Sequence, residues 1–326
     1  MILFFSPSNE EAITIIETAE RVNSPLRVII FCLLIVILLV YCFISDHKNK
    51  VKKAKAYAKI NLFLNILNKR KDGYHNLKSV FDFIDLYDEI TISKSNCFKL
   101  ICSDKSLENE DNIIYKAYIK LKELFPEIKG VKVKLKKNIP MQAGLGGGSS
   151  DCATFISLMI DLYNLPLNNK DIKKISSSLG ADVLPCYYSQ TLLAEGIGDD
   201  ITLIKNKLDY YVVIVKPEFS CSTKEMYNEL DKKKITQKRS IDKLISALKS
   251  KDFDNFSKYL YNDFETVVDI IDIKKDLENN NARNSLLCGS GSCVFGIFKT
   301  KEDAQLAYNN LSQKYKCYIC KNKTTN

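Results

Sequence analysis

The densest chemistry in the sequence lies at Pro140-Met141-Gln142-Ala143-Gly144-Leu145-Gly146-Gly147-Gly148-Ser149-Ser150-Asp151, where four glycines fall within five positions. Glycine lacks a Cβ, so its backbone can approach a ligand closely and take positive φ, and successive N–H groups can converge on an anion. Ala153, Ile156, Met159, Ile160 and Tyr163 follow at helical spacing. This predicts a helix capped by Ser150 or Asp151, with its partially positive end turned to the loop. Such a loop suits phosphate. No Gly-Lys-Ser/Thr follows at Walker spacing, and Ser149 stands where a dinucleotide fingerprint needs its third glycine, so neither of those architectures applies. A glycine turn that merely packs strand against helix is the plainer alternative.

Three other groups of residues carry chemical potential. In Ala58-Lys59-Ile60-Asn61-Leu62-Phe63-Leu64 the strand alternation puts Lys59 and Asn61 on one face, either exposed or delivering charge into a cleft. The polar turn Arg70 to His75 carries Asp72-Gly73 at its tip and then Tyr74 and His75, one of only two histidines. That pair offers a stacking face beside a hydrogen-bonding edge, suited to a nucleobase or another planar ligand, with a purely structural role as the alternative. Asp182 follows Gly180, the expected end of a helix, where a capping or surface carboxylate is the ordinary reading. The Cys317 to Cys320 pair has no second pair or histidine nearby to complete a zinc site, so packing within a strand is expected.

The elements that must position these residues are legible in outline. Val131 to Leu135 alternates apolar and Lys like an edge strand, and Pro140 stops it. Phe81 to Ile92 reads as paired strands around Leu86 to Asp88, and Asn112 to Leu124 as an amphipathic helix. Tyr211 to Lys216 predicts a strand that opens a second domain. Leu287 to Phe295 forms a second glycine turn, and a helix over Glu302 to Tyr315 precedes a last strand at Cys317 to Cys320.

The 326 residues, 46% hydrophobic and 27% charged, describe an ordered globular protein of one large or two modest domains. The net charge of +9 suits an anionic partner. Lysines are scattered without an aromatic-interleaved RNA motif, which favours a small anionic substrate and argues against nucleic acid. Eleven irregularly spaced cysteines in so long a chain read as reduced thiols. Val28 to Ile44 is an uninterrupted apolar run of 17 residues, about 26 Å long as a helix. Glu10, Glu11, Glu17 and Glu20 precede it and Lys48, Lys50, Lys52, Lys53 and Lys55 follow, a pattern compatible with a recessed signal, a transit leader or a membrane anchor.

Taken together, the Lys59 strand, Asp72-Gly73-Tyr74-His75 and the glycine loop resemble the GHMP kinase superfamily. Within it they resemble the branch acting on 4-diphosphocytidyl-2-C-methyl-D-erythritol in the non-mevalonate isoprenoid route, from Ala54 to about Phe298. The resemblance implies an α+β fold of two domains, a ribosomal protein S5 domain 2-like domain and a C-terminal α/β sandwich, with the active site in the cleft between them. The expected division is a leader at 1–53 and domains at 54–206 and 207–326. It further implies ATP-dependent phosphorylation of the 2-hydroxyl of that substrate with Mg²⁺, no protein ligand to the metal being assigned. Gly180-Ala181-Asp182-Val183 matches the segment carrying the family's catalytic carboxylate, which makes Asp182 the partner of Lys59. The family's Pro after that Val is displaced here by Leu184, so the local turn is expected to differ. Pro140, Gly144, Leu145, Gly146, Gly147, Gly148, Ser149 and Ser150 are implied for ATP, and Asn61, Tyr74, His75, Lys137 and Tyr227 for the substrate. The partners implied are the small-molecule substrate alone, with membrane contact only through 28–44 and a monomer or homodimer as the assembly. The pathway and leader together suggest a plastid-type organelle (apicoplast), or else an anchored protein. Two rivals stand beside this reading. A mevalonate-type or homoserine-type kinase of the superfamily would not need Tyr74-His75, and a non-catalytic ligand sensor would have no use for Lys59 and Asp182.

Overall fold

Two long strands, β1 (Val51–Lys69) and β2 (His75–Lys94), pair antiparallel over almost their whole length and form the spine to which both halves of the protein attach. The structure is a computed structural model that describes residues 32, 33, 35–37, 51–233 and 240–324. The apolar run 28–44 falls mostly outside the described residues. Among those described, no helix is long and apolar enough to cross a membrane. Residues 51–326 form one compact unit.

β2 is one continuous strand where a strand pair turning at Leu86 to Asp88 was expected. The aspartates that suggest a turn do not break the ladder because Asp82 and Asp88 are fully buried and each collects its own donors. β3 (Lys99–Cys102), β4 (Val131–Lys136), β5 (Leu192–Gly196), β6 (Asp200–Leu203) and the short β8 (Tyr261–Asn262) complete a sheet in the order β3-β4-β2-β1-β8, with β5 on β2 and β6 on β5. β4 is therefore an inner strand with β3 outside it. Its alternation reflects one face on the core, where Val131, Val133 and Leu135 are buried.

Helices α1 (Ile113–Leu124), α2 (Gly147–Tyr163), α3 (Asn169–Leu179) and α4 (Val183–Tyr188) belong to this half, and residues of α1, α2 and α4 share a core with the sheet. α1 is capped by Asn112, whose side chain accepts from Ile114 N. The second sheet runs β11-β7-β10-β9, all antiparallel: β7 (Tyr211–Lys216), β9 (Asn284–Leu287), β10 (Val294–Phe298) and β11 (Lys316–Lys321). Helices α5 (Thr223–Asp231), α6 (Ile241–Ser250), α7 (Phe253–Lys258), α8 (Ile271–Asn279) and α9 (Lys301–Leu311) belong to this half.

The two sheets share a core in which Ala58, Ile60 and Leu62 of β1 cluster with Ile214, Phe295 and Ile297. Each fully buried side chain of this size contributes roughly 1.5–3 kcal/mol, so this seam holds the spine on the second sheet. A polar knot sits at the same junction. The carboxylate of Asp82 accepts from Thr191 Oγ1 at 2.7 Å, Asn206 Nδ2 at 3.1 Å and the Tyr210 hydroxyl at 2.5 Å. Burial pushes this carboxyl up to about 6, against the pull of those donors. The end of the chain returns to the spine as well, with Lys323 N donating to the Phe83 carbonyl at 2.7 Å and Lys321 N to Asp85 at 2.7 Å. Cys317 and Cys320 are an odd number of positions apart on β11 and join different cores, and every cysteine among the described residues is a free thiol.

Candidate active site

Lys59 and Asn61 lie two apart on β1 and point the same way, as a strand requires, into a cleft of about 690 Å³. The ladder to β2 shifts register between Tyr57 and Lys59 and again between Asn61 and Phe63, so these two residues sit between two irregularities that aim them out of the sheet. The Lys59 ammonium donates to Asn61 Oδ1 at 2.7 Å and meets Asp182 Oδ2 at 3.2 Å. Asn61 Nδ2 donates to Ser79 Oγ at 2.8 Å, and that hydroxyl donates on to the Phe63 carbonyl at 2.7 Å. The chain of bonds leaves the lysine little rotamer freedom. The Phe81 ring, 5.3 Å from the ammonium, adds a cation–π contact.

Asp182 stands at the N-terminus of α4, yet its side chain makes no capping bond. Its carboxylate is instead turned to Lys59 and is about a third exposed, while Lys59 is almost fully buried. Gly180 has φ 168°, extended backbone open to any residue, so the helix before Asp182 does not end on a left-handed glycine. Leu184 follows Val183, and Pro185 falls in the first turn of α4, where a missing N–H costs nothing.

The glycine loop wraps the other side of Lys59. The Lys59 backbone N–H donates to the Leu145 carbonyl at 2.9 Å. Gly146 has φ +66°, and a Cβ there would lie 2.8 Å from Lys59 Cγ. α2 begins at Gly147 with Gly146 as its cap, so Ser150 and Asp151 are inside the helix and cap nothing. Of the residues expected to hold ATP, Gly144, Gly146 and Ser149 line the cleft, whereas Leu145 and Ser150 are buried. Pro140, Gly147 and Gly148 are not among the residues lining it. The second glycine turn packs directly on the first: a Cβ on Gly144 would come within 1.7 Å of the Cys288 carbonyl oxygen, and Cys293 N donates to the Ala143 carbonyl at 3.3 Å.

At the far end of the cleft, His75 stacks on Tyr227 with centroids 4.7 Å apart and planes 22° from parallel. His75 Nε2 is bound to Asp231 Oδ1 at 2.6 Å, and Lys69 holds the other oxygen of Asp231 at 2.6 Å. Lys69 and then His75 keep that carboxyl below its ordinary range. Tyr227 packs edge-on against Phe264, and burial raises its hydroxyl to about 12. Tyr74, 61% exposed, lines the cleft without a fixed partner ring among the described residues.

Lys137 is not among the residues lining the cleft. Its ammonium is buried between Asp88 and Asp151, 2.6 Å from Asp151 Oδ2 and hydrogen-bonded to Asp88. Several cleft residues escaped the sequence reading. Asp231 lies one helical turn beyond Tyr227 on the same face, a spacing that offered a usable signal. The contact of the Thr223 hydroxyl with that of Ser290, at 2.8 Å, gave none because it joins segments 67 residues apart.

Residues 112–190 match the GHMP kinases N terminal domain and residues 244–317 the GHMP kinases C terminal domain. The chain is 39% identical over 270 residues to the 4-diphosphocytidyl-2-C-methyl-D-erythritol kinase of Clostridium botulinum (strain Langeland / NCTC 10281 / Type F), covering 81% of this chain and 96% of that relative. It is 40% identical over 273 residues to the enzyme of the same name from Clostridioides difficile (strain 630), covering 81% and 92%. A crystal structure of 4-(cytidine 5'-diphospho)-2C-methyl-D-erythritol kinase superposes with a TM-score of 0.74 at 23% identity, covering 84% of this chain and all of that one. L. major mevalonate kinase in complex with R-mevalonate gives 0.65 at 15% identity, over 84% and 96%. These structural likenesses establish the two-domain α+β GHMP fold. The expected plastid-type organelle is overturned, since the relatives are bacterial and bring no organelle with them. By its sequence identity to relatives matched over nearly their whole length, the chain belongs to the 4-diphosphocytidyl-2-C-methyl-D-erythritol kinase family of GHMP kinases.

Proposed function

We infer that the protein transfers the γ-phosphoryl group of ATP to the 2-hydroxyl of 4-diphosphocytidyl-2-C-methyl-D-erythritol, a step of non-mevalonate isoprenoid precursor biosynthesis. The observation that carries this is the 3.2 Å contact of Lys59 with Asp182 beside a glycine loop, at one end of a cleft whose other end is aromatic.

The backbone amides around Gly144 to Ser149 cradle the phosphates at the start of α2, where the helix end adds roughly half a positive charge. Asp182 orients the acceptor hydroxyl and receives its proton as that oxygen bonds to the γ-phosphorus and the bond to the β-phosphate oxygen breaks, releasing ADP. Lys59 stabilises the negative charge that develops on the moving phosphoryl group. Asn61, which lines the cleft, fixes the lysine through its oxygen and keeps a second amide hydrogen for the substrate. His75, Tyr227 and Tyr74 receive the cytosine by stacking and edge hydrogen bonds.

No group of three or more Asp, Glu, His or Cys that could hold a metal ion occurs among the described residues. A magnesium ion arriving with the nucleotide fits this cleft, because Mg²⁺ ordinarily takes one or two carboxylates plus phosphate oxygens and waters. Asp182 and the Ser149 hydroxyl are the donors available to it. Bound there, it would neutralise charge on the β- and γ-phosphates.

The test is turnover by the purified full chain with ATP and Mg²⁺, offering 4-diphosphocytidyl-2-C-methyl-D-erythritol, mevalonate and homoserine in turn. Phosphorylation of the first alone is expected. Preference for either of the others would reassign the acceptor, and ATP binding without turnover of any would favour a sensor.

A further inference from the structure

We propose that Lys137 is a positioning residue for the nucleotide loop, its ammonium tying the strand that enters the loop to the helix that leaves it through Asp88 and Asp151. This rests on assigning the glycine loop to the ATP phosphates, and it removes Lys137 from the acceptor side of the cleft.

The geometry is specific. Asp88 lies on β2, fully buried, with one oxygen on Lys137 and the other accepting the backbone N–H groups of Asn138 and Ile139, the latter at 2.9 Å. Asp151 is in the second turn of α2, and its Oδ2 takes the same ammonium at 2.6 Å. Residues 137 and 151, one at the entry and the other beyond the exit of the loop, are thus held by one nitrogen. Lys137 N also donates to Ser103 Oγ at 2.9 Å, which fixes the root of the side chain.

Two further observations indicate a device for the loop beyond ordinary packing. A Cβ on Gly147, the first residue of α2, would stand 3.5 Å from the Lys137 ammonium and 3.1 Å from Ile139 Cγ2. The lysine therefore lies against the helix start, where it holds the first turn of α2 in place beside the loop. Asp151 Oδ1 is buried with no hydrogen-bond partner among the described residues, and two carboxyls share one ammonium. Burial, opposed by Lys137, raises the Asp151 carboxyl to about 8, so it holds a proton near neutrality and the cluster is close to balanced. A flexible glycine loop must also be ordered before phosphate binds, and fixing its two ends in advance lowers that entropic cost.

The experiment measures binding of a non-hydrolysable ATP analogue by calorimetry, and the acceptor KM by steady-state turnover, for the full-length parent, Lys137→Met, Lys137→Arg, Asp151→Asn and the double variant Lys137→Met/Asp151→Asn. Lys137→Met is expected to weaken the analogue by about tenfold or more while the acceptor KM stays within about twofold. Lys137→Arg should recover most of the loss, and the double variant should bind little worse than Lys137→Met, because both residues act through one contact. If Lys137→Met does not fold, Asp151→Ala, which removes the acceptor outright, carries the same comparison. A raised acceptor KM with unchanged analogue binding overturns the proposal, as does full additivity of the two substitutions. A parent that binds no ATP analogue would instead sink the functional reading on which it rests.

Discussion

His75 and Tyr227 lie ring on ring although 152 residues separate them, and Asp231 fixes the imidazole by its edge. One face of His75 is therefore taken, and the cleft presents an aromatic wall already assembled. Tyr227→Ala and His75→Ala should each raise the acceptor KM by about tenfold or more with the ATP KM nearly unchanged, since an aromatic pair and one polar contact together supply roughly 1.4 kcal/mol or more. Asp231→Asn, which loosens the imidazole only, should give a smaller change in the same direction. Steady-state kinetics with each substrate varied in turn checks this.

The Lys59 to Asp182 contact predicts a loss in kcat. Asp182→Asn and Lys59→Met should each lower kcat by about a hundredfold or more, the usual effect of removing one preorganised charged group. The double variant should fall little further, because the two act as a unit. Circular dichroism would confirm folding. Asp182→Asn with near-parental kcat is the outcome against the assignment.

Glycine is required by space and conformation at Gly146 but not at Gly148. Gly146→Ala puts a methyl 2.8 Å from Lys59 Cγ at φ +66°, so the lysine must shift, and left-handed backbone costs about 1–2 kcal/mol for alanine. A fall in kcat of about tenfold or more is expected together with a lower melting temperature. At Gly148 an added Cβ meets nothing within 4 Å, so Gly148→Ala should match the parent in stability or exceed it by about 0.5–1 kcal/mol.

Asp151 also predicts the pH dependence of stability. Its carboxyl rises from an ordinary value near 4 to about 8 because it is buried, with Asp88 and Lys137 facing it and the thiols of Cys102, Cys152 and Cys186 in its surroundings. The folded protein keeps a proton that the unfolded chain releases, so this contribution is complete below about pH 4 and is lost progressively as pH rises through 8. Denaturation by urea between pH 5 and 8 should show stability falling by up to about 1.4 kcal/mol per pH unit on this account. Asp151→Asn should remove that share of the slope, and an unchanged slope would refute the assignment.

What the sequence disclosed depended on how local the cause was. Lys59 and Asn61 were readable on one face because strand alternation is a property of adjacent residues. The helix ending at Leu124 and the strand at Tyr211 to Lys216 were readable for the same reason. Asp182 was not separable from a helix cap by spacing, and only the family resemblance paired it with Lys59, 123 residues away. Lys137 was assigned to the acceptor only through the family resemblance, and its two carboxylate partners, from β2 and α2, could not be read from spacing. The continuity of β2 was hidden because aspartates in a strand suggest turns until their buried donors are known.

The close fit of Gly144 against the Cys288 carbonyl bears on how such a chain can change over generations. The glycine loop lies between a strand and a helix, while its backing comes from the β9–β10 hairpin more than 140 positions later. Lengthening either turn by a residue would unseat the other, so tolerated insertions should appear in both or in neither. A genetic search for suppressors of a Gly144 lesion should therefore return changes between 288 and 293 ahead of any nearer in sequence.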